Sequence, residues 1–197
     1  NGARNDMVTY TEGSITVTAT YQIQINTTEL MALVTGLDQI HFGARYALGV
    51  PSLNVAMKAE HTTMVFNKYD ASYVSGHLAK VASTQIFSIE IGQVANSFSL
   101  KLVNGASASN FLGLNENNTA DQLHVLTDIN DRSSWTITFS GNNATITNVH
   151  FPTRTIRYNN TTLSLATFTT GQQAVSLYVV DEIISDTTAA LRLVSEI

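Results

Sequence analysis

Two segments of this chain begin alike. Phe87-Ser88-Ile89-Glu90-Ile91 and Trp135-Thr136-Ile137-Thr138-Phe139 lie 48 positions apart, each led by an aromatic residue and each alternating apolar with polar. The next residues run in parallel: Phe98-Ser99-Leu100-Lys101-Leu102 after the first, Ala144-Thr145-Ile146-Thr147-Asn148 after the second. A third short run comes next, Asn110 to Asn115 in one copy and Thr155 to Asn159 in the other. A fourth is read at Gln122-Leu123-His124-Val125-Leu126 and at Ala174 to Val180. A fainter copy lies upstream, where Arg45-Tyr46-Ala47-Leu48-Gly49 matches the third run and Asn54-Val55-Ala56-Met57 the fourth.

A period of this size means that one unit cannot bury its own apolar face and must share a core with its neighbours. Short strands at regular spacing with turn residues between them are the signature of a barrel or sandwich. Three units of four strands fit an all-β, closed β-trefoil-like barrel of three pseudo-repeats; an ordinary β-sandwich is the alternative. The expected organisation is an N-terminal extension over 1–37, a repeat domain over 38–180 and a tail over 181–197. Within that tail, Ala189-Ala190-Leu191-Arg192-Leu193-Val194 reads as a last strand.

The extension carries its own signal. From Ser14 to Asn26 the alternation is unbroken, with Ile15, Val17, Ala19, Tyr21, Ile23 and Ile25 on one side and Thr16, Thr18, Thr20, Gln22 and Gln24 on the other. Strict period two predicts a half-buried strand of roughly 40 Å, about twice the usual length. A strand that long crosses a whole sheet or pairs with a neighbouring chain, so Ile15, Val17, Tyr21, Ile23 and Ile25 are candidate assembly residues and a homo-oligomer or polymer is one expectation. The next segment, Thr28 to Gly36, reads as a two-turn helix with Thr28 as N-cap and glycine as stop.

Composition limits function more than it assigns it. The apolar share of 44% supports a core, while charged residues are 13%, about half the ordinary share. Thr, Asn and Ser carry the polarity, which suits pleated surfaces and turns. The net charge is −5 with scattered Lys and Arg, so nucleic acid is not an expected partner. No apolar run approaches the length of a membrane-crossing helix. The absence of cysteine removes disulfides and thiolate metal sites. No leader is visible, so the chain reads as mature, truncated or cytosolic, and its low-charge, Thr/Asn-rich character as that of an extracellular, cell-surface or virion-exterior protein.

The segments Trp135 to Asn148, Arg154 to Asn160 and Gly171 to Tyr178 resemble the ends of small β modules in secreted and surface proteins of Bacteroidota. They are also similar to ricin-B-like β-trefoil repeats, which carry a Gln-x-Trp signature: Gln85-Ile86-Phe87 keeps the Gln, and Ser133-Ser134-Trp135 keeps the Trp. The resemblance covers about residues 85–180. It implies a structural role for the signature and sugar contacts from variable loops.

Catalytic chemistry finds little support. Trp135 shares a face with Ile137 and Phe139 and is expected in the core rather than as a sugar platform. The five histidines, His41, His61, His77, His124 and His150, lack metal-ligand spacing, Asp128-Ile129-Asn130-Asp131 lacks the glycine and distal Glu of a calcium loop, and no nucleophile elbow occurs. No cofactor, no metal and no enzymatic activity are expected. The expected role is a non-catalytic surface module for adhesion or for binding a glycan or surface protein. Candidate contacts are Asn110, Asn115, Asn117, Asn159 and Asn160, in the loops Asn104 to Asn110, Asn115 to Asp121 and Asn159 to Thr162. The alternative is a structural subunit of an extracellular filament or virion that assembles by strand pairing between chains.

Overall fold

A computed structural model describes residues 3–12, 15–24, 27–117 and 120–185, with side chains over 29–117 and 120–180. Ile25 and the Ala189 to Val194 segment lie outside the described residues. The chain divides into two compact units, Leu30–Glu182 and Asn1–Glu29 with Ile183–Ile197.

In the smaller unit the long alternating segment has an in-chain partner. Strand β1 (Ala3–Glu12) pairs antiparallel with β2 (Ile15–Gln24) over ten successive positions, from Ala3 opposite Gln24 to Glu12 opposite Ile15. Ile15, Val17, Tyr21 and Ile23 therefore stand opposite Glu12, Tyr10, Asp6 and Arg4.

The segment expected to be a helix is a strand, β3 (Thr27–Val34). Its apolar residues run contiguously instead of at helical spacing. Met31 and Val34 are buried, with Met31 set opposite Leu78. Tertiary pairing outweighs a weak helical preference.

The larger unit then builds three four-strand repeats. The first comprises β4 (Arg45–Val50), β5 (Val55–His61), β6 (Phe66–Asp70), a small insertion of β7 (Tyr73–Val74) and β8 (His77–Ala79), and β9 (Phe87–Ile91). The second is β10 (Phe98–Leu102), β11 (Phe111–Gly113), β12 (His124–Leu126) and β13 (Trp135–Ser140). The third is β14 (Asn143–Asn148), β15 (Thr155–Asn159), β16 (Ser164–Phe168), the short β17 (Gln173–Ala174) and β18 (Ser176–Ser185).

Six strands close on themselves. Pairings run β4 to β9, β9 to β10, β10 to β13, β13 to β14, from β14 across the Ala144–Val175 bridge to the segment continuing into β18, and from β18 back to β4. The other six strands of the repeats pair as β5–β6, β11–β12 and β15–β16, three hairpins at one end. This is the β-trefoil arrangement, and the closed ring replaces the sandwich alternative.

The threefold pattern is visible in single pairings. Tyr46 stands opposite Phe87, Phe98 opposite Trp135, and Ala144 opposite Val175. Phe87, Trp135 and Val175 are all 0% exposed. The signature position thus occurs three times, the last as Gln173-Ala174-Val175. Between them lie Leu48, Ile89, Leu100, Ile137, Ile146 and Leu177, which fill the barrel. As expected, Trp135 is core, and its indole Nε1 donates to the Leu112 carbonyl at 2.9 Å.

The repeat boundaries differ from the sequence reading at two places. Ala174 to Val180 is equivalent to β9 and β13, and the third-repeat counterpart of Gln122 to Leu126 is β16. Upstream, Arg45 to Gly49 matches the second run and Val55 onward the third. All five β16 residues are buried, so Ser164-Leu165-Ala166-Thr167-Phe168 lacks a contrast between two faces.

Candidate functional site

The three hairpins meet at one end of the barrel. Leu123 N donates to the Met64 carbonyl at 2.7 Å, and Thr167 donates to the Gln122 carbonyl through its N at 3.2 Å and its Oγ1 at 2.8 Å. The segment before β12 is thereby laced between the turn before β6 and strand β16. Strands β16 and β6 pair directly, with Ser164 opposite Asn67 and Leu165 opposite Phe66.

A cleft of about 350 Å³ opens where these pieces join, lined by Val65, Asn67, Asp121, Asn159, Thr162, Ser164, Ala166 and Phe168. Val65 and Asn67 come from the first repeat, Asp121 from the second and the rest from the third. No single repeat contains the site. Its deepest residues are Ala166 at 1% and Ser164 and Phe168 at 5% exposed, and the lining as a whole offers one carboxylate, two amides and two hydroxyls.

These polar groups have local reasons for their positions. Asn159 Oδ1 accepts from Thr161 N at 2.8 Å and Thr162 N at 3.3 Å, a turn that Asn favours because its side chain mimics a backbone acceptor. Thr162 Oγ1 and Ser164 Oγ are 2.8 Å apart, and between them Leu163 adopts φ +53°. Asp121 is fixed by Arg154, whose Nη1 donates to its Oδ1 at 2.6 Å; the Arg154 side chain is only 13% exposed. Lys68, next to Asn67, pairs with Asp70, which raises the Lys68 pKa and keeps its ammonium charged.

Of the candidate contacts, the structure brings only Asn159 into this cleft. Asn160 is exposed beside it in the same turn. Asn110 lies in the turn before β11, its N bonded to the Ser107 carbonyl and its carbonyl accepting from Leu102 N. Asn115 and Asn117 are exposed on the loop that leads to Asp121. Asn115 and Asn159 are nonetheless equivalent: Lys101 faces Phe111 as Thr147 faces Thr155, and each Asn lies four residues further on. Asn104 spends its amide on the backbone, accepting from Ile86 N and donating to the Thr84 carbonyl, both at 2.8 Å. Asp121 and Thr162 close two of the loops named from sequence, whereas Asn67 and Ser164 were not singled out, since nothing local marks residues that meet only through closure of three repeats.

A second depression, about 440 Å³, is lined by Phe42, Gly43, Ser88, Ile89, Glu90 and Ile91. Its main features are two exposed apolar side chains, Phe42 and Ile91, and Glu90 is engaged by Lys101 at 3.1 Å. It has no converging set of polar groups. Among the described residues no cluster of His, Asp and Glu is arranged to hold a metal. His124 bonds Gln122 Oε1 at 2.8 Å, and burial pushes its imidazole pKa down. Asp131, in the stretch that lacks the full calcium-loop pattern, meets His150 at 2.6 Å, and Asn130 there caps a short 3-10 turn by accepting from Arg132 N and Ser133 N.

No family model and no curated protein sequence matches the chain. Solved structures do. The chain is similar to a protein described as the BEL β-trefoil, at 11% identity and TM-score 0.54, over 75% of this chain and 100% of that one. It is similar to an endo-β-galactosidase from Clostridium perfringens that releases GlcNAcα1-4Gal, at 12% identity and TM-score 0.53 over 71% of this chain, and to the lysenin pore, at 12% identity and TM-score 0.52 over 87%. The chain spans 33% of the galactosidase and 55% of lysenin. At these identities the likeness concerns the fold, and the fold of residues Leu30–Glu182 is a β-trefoil.

Proposed function

We propose that the trefoil is a non-catalytic carbohydrate-binding module of a secreted or surface-exposed protein. The observation that carries this reading is the composite cleft. Sugars present hydroxyls that both donate and accept, on a ring with apolar C–H faces. A carboxylate, two amides and two hydroxyls around the apolar side chains of Val65, Ala166 and Phe168 supply both kinds of partner. The neighbours add support at the level of fold, because a β-trefoil and a galactoside-releasing enzyme stand among them. Lysenin, whose structure is of a pore, shows the same fold within a larger protein, and a trefoil that brings a larger assembly to a glycan is consistent with that.

The test is a screen of the whole chain on an array of immobilised glycans, followed by NMR titration of any sugar retained. Perturbed amides at Asn67, Asp121, Asn159 and Ser164 are the expected result. Binding to no glycan, or perturbations confined to the Phe42 and Ile91 surface, defeats the reading.

A further inference from the structure

We propose that this cleft selects uncharged sugars and rejects acidic ones; the inference rests on the carbohydrate reading above. The segments that build the cleft carry three Lys and Arg side chains; two are paired to carboxylates and the third is turned aside. Arg154 is held on Asp121 at 2.6 Å, and Lys68 on Asp70. Arg157 lies opposite the lining residue Ala166, yet its Nη1 donates to the Gln172 carbonyl at 3.1 Å, on the β17 edge of β15 and away from β16, and its Nε, which has no hydrogen-bond partner, is buried and closed to a ligand. The nearby His124 is biased towards its neutral form by burial.

The anions are distributed differently. Asp121 is the one charged residue in the lining, its side chain 54% exposed, and Glu116 is exposed on the same loop. Arg154 occupies Oδ1 of Asp121, so Oδ2 is the oxygen offered to a ligand, and it can only accept. A sugar hydroxyl donates to it in a charge-assisted hydrogen bond. A sialic acid, uronic acid or sulfate ester brings a second negative charge towards that oxygen without a free cation to receive it, and like charges brought together in a cleft are unfavourable. Arg154 acts as a positioning residue: it holds Asp121 through Oδ1 alone, from a side chain only 13% exposed, and leaves the more exposed carboxylate at the cleft.

The experiment uses the full chain on matched glycan pairs that differ by one terminal sialic acid or one sulfate, with affinities by titration calorimetry in low and moderate salt. The neutral member of each pair should be preferred about tenfold or more, with the preference shrinking as salt rises. Asp121→Asn keeps the shape of the side chain and should weaken neutral-sugar binding about tenfold while partly relieving rejection of the acidic member. Asn67→Ala is a second variant, on another repeat, that should weaken both members of a pair alike. Equal or tighter binding of acidic members, with Asp121→Asn still weakening neutral binding, overturns the selectivity and leaves the carbohydrate reading standing. Neutral binding untouched by both variants places the sugar elsewhere and overturns the proposal. Retention of no glycan at all overturns both.

Discussion

The indole of Trp135 donates its single N–H to the carbonyl of Leu112, 23 residues earlier in the chain, and both residues are 0% exposed. The bond ties the last strand of the second repeat to the hairpin of the same repeat from inside the barrel. Trp135→Phe keeps most of the apolar volume but strands that carbonyl. It should cost about 2 to 4 kcal/mol, read as a lower urea midpoint by circular dichroism. Trp135 is the chain's single tryptophan, so native emission should be blue-shifted and move to the red in one step as the barrel opens.

Asn104 makes a different kind of tie. Its Oδ1 accepts from Ile86 N at 2.8 Å and Gln85 Nε2 at 3.0 Å, and its Nδ2 donates to the Thr84 carbonyl at 2.8 Å. One side chain after β10 therefore pins the approach to β9. Asn104→Ala removes all three bonds at partly buried groups and should lower stability by about 2 to 3 kcal/mol in chemical denaturation. Asn104→Asp keeps the acceptor and loses the donor, and should recover part of that loss as pH is lowered.

Gly105 comes directly after it, with φ +81°, and a Cβ placed there would stand 2.8 Å from the Ala59 carbonyl oxygen. Both the backbone and the space require glycine. Gly105→Ala should destabilise by more than about 1 kcal/mol, seen as a lower thermal midpoint, whereas Gly141→Ala has only the backbone strain of φ +57° to bear and should cost less.

The His150 contact lowers the Asp131 carboxyl pKa below its ordinary 3.8, chiefly through their hydrogen bond. Depression of an acid in the folded state means that the stabilisation is complete above the unfolded value and fades as pH falls through the folded one. Both side chains are more than a third exposed, so the effect is modest, under about 1 kcal/mol. His124 has the same sign near neutrality: its pKa is lowered from 6.5 by desolvation, so stability should fall as pH drops below that value. Thermal melts from pH 8 to pH 3 should show a shallow loss on the acid side near neutrality that His124→Gln removes. Asp131→Asn should flatten only the lower part of the curve.

The alternation of strands and the aromatic leads of β9 and β13 were readable from sequence because one face of each strand is buried and the other is not. Burial on both sides removed that signal from β16, and the Gln173-Ala174-Val175 copy of the signature escaped notice because valine replaces the aromatic residue. Asn159 and Asp121 fell within loops named for the amides and hydroxyls they offer. That the two meet, and that Asn67 joins them, was not readable, since it depends on barrel closure across all three repeats. The Thr27–Val34 segment failed for a third reason. Its propensities were indifferent, and the partner that decided its state, Leu78 opposite Met31, lies far along the chain.

The closing pair of the barrel also sets how the trefoil responds to force. Strands β4 and β18 are antiparallel, with Tyr46 opposite Val179 and Gly49 opposite Ser176, so chain entry at Arg45 and chain exit past Val179 share one edge. Tension between those two points meets the cross-strand bonds one after another, as in a zipper, instead of loading them together in shear. Loaded at Arg45 and Val179, the trefoil is therefore mechanically soft at this seam, while β3, which lies on the other side of β18, braces it from the N-terminal flank.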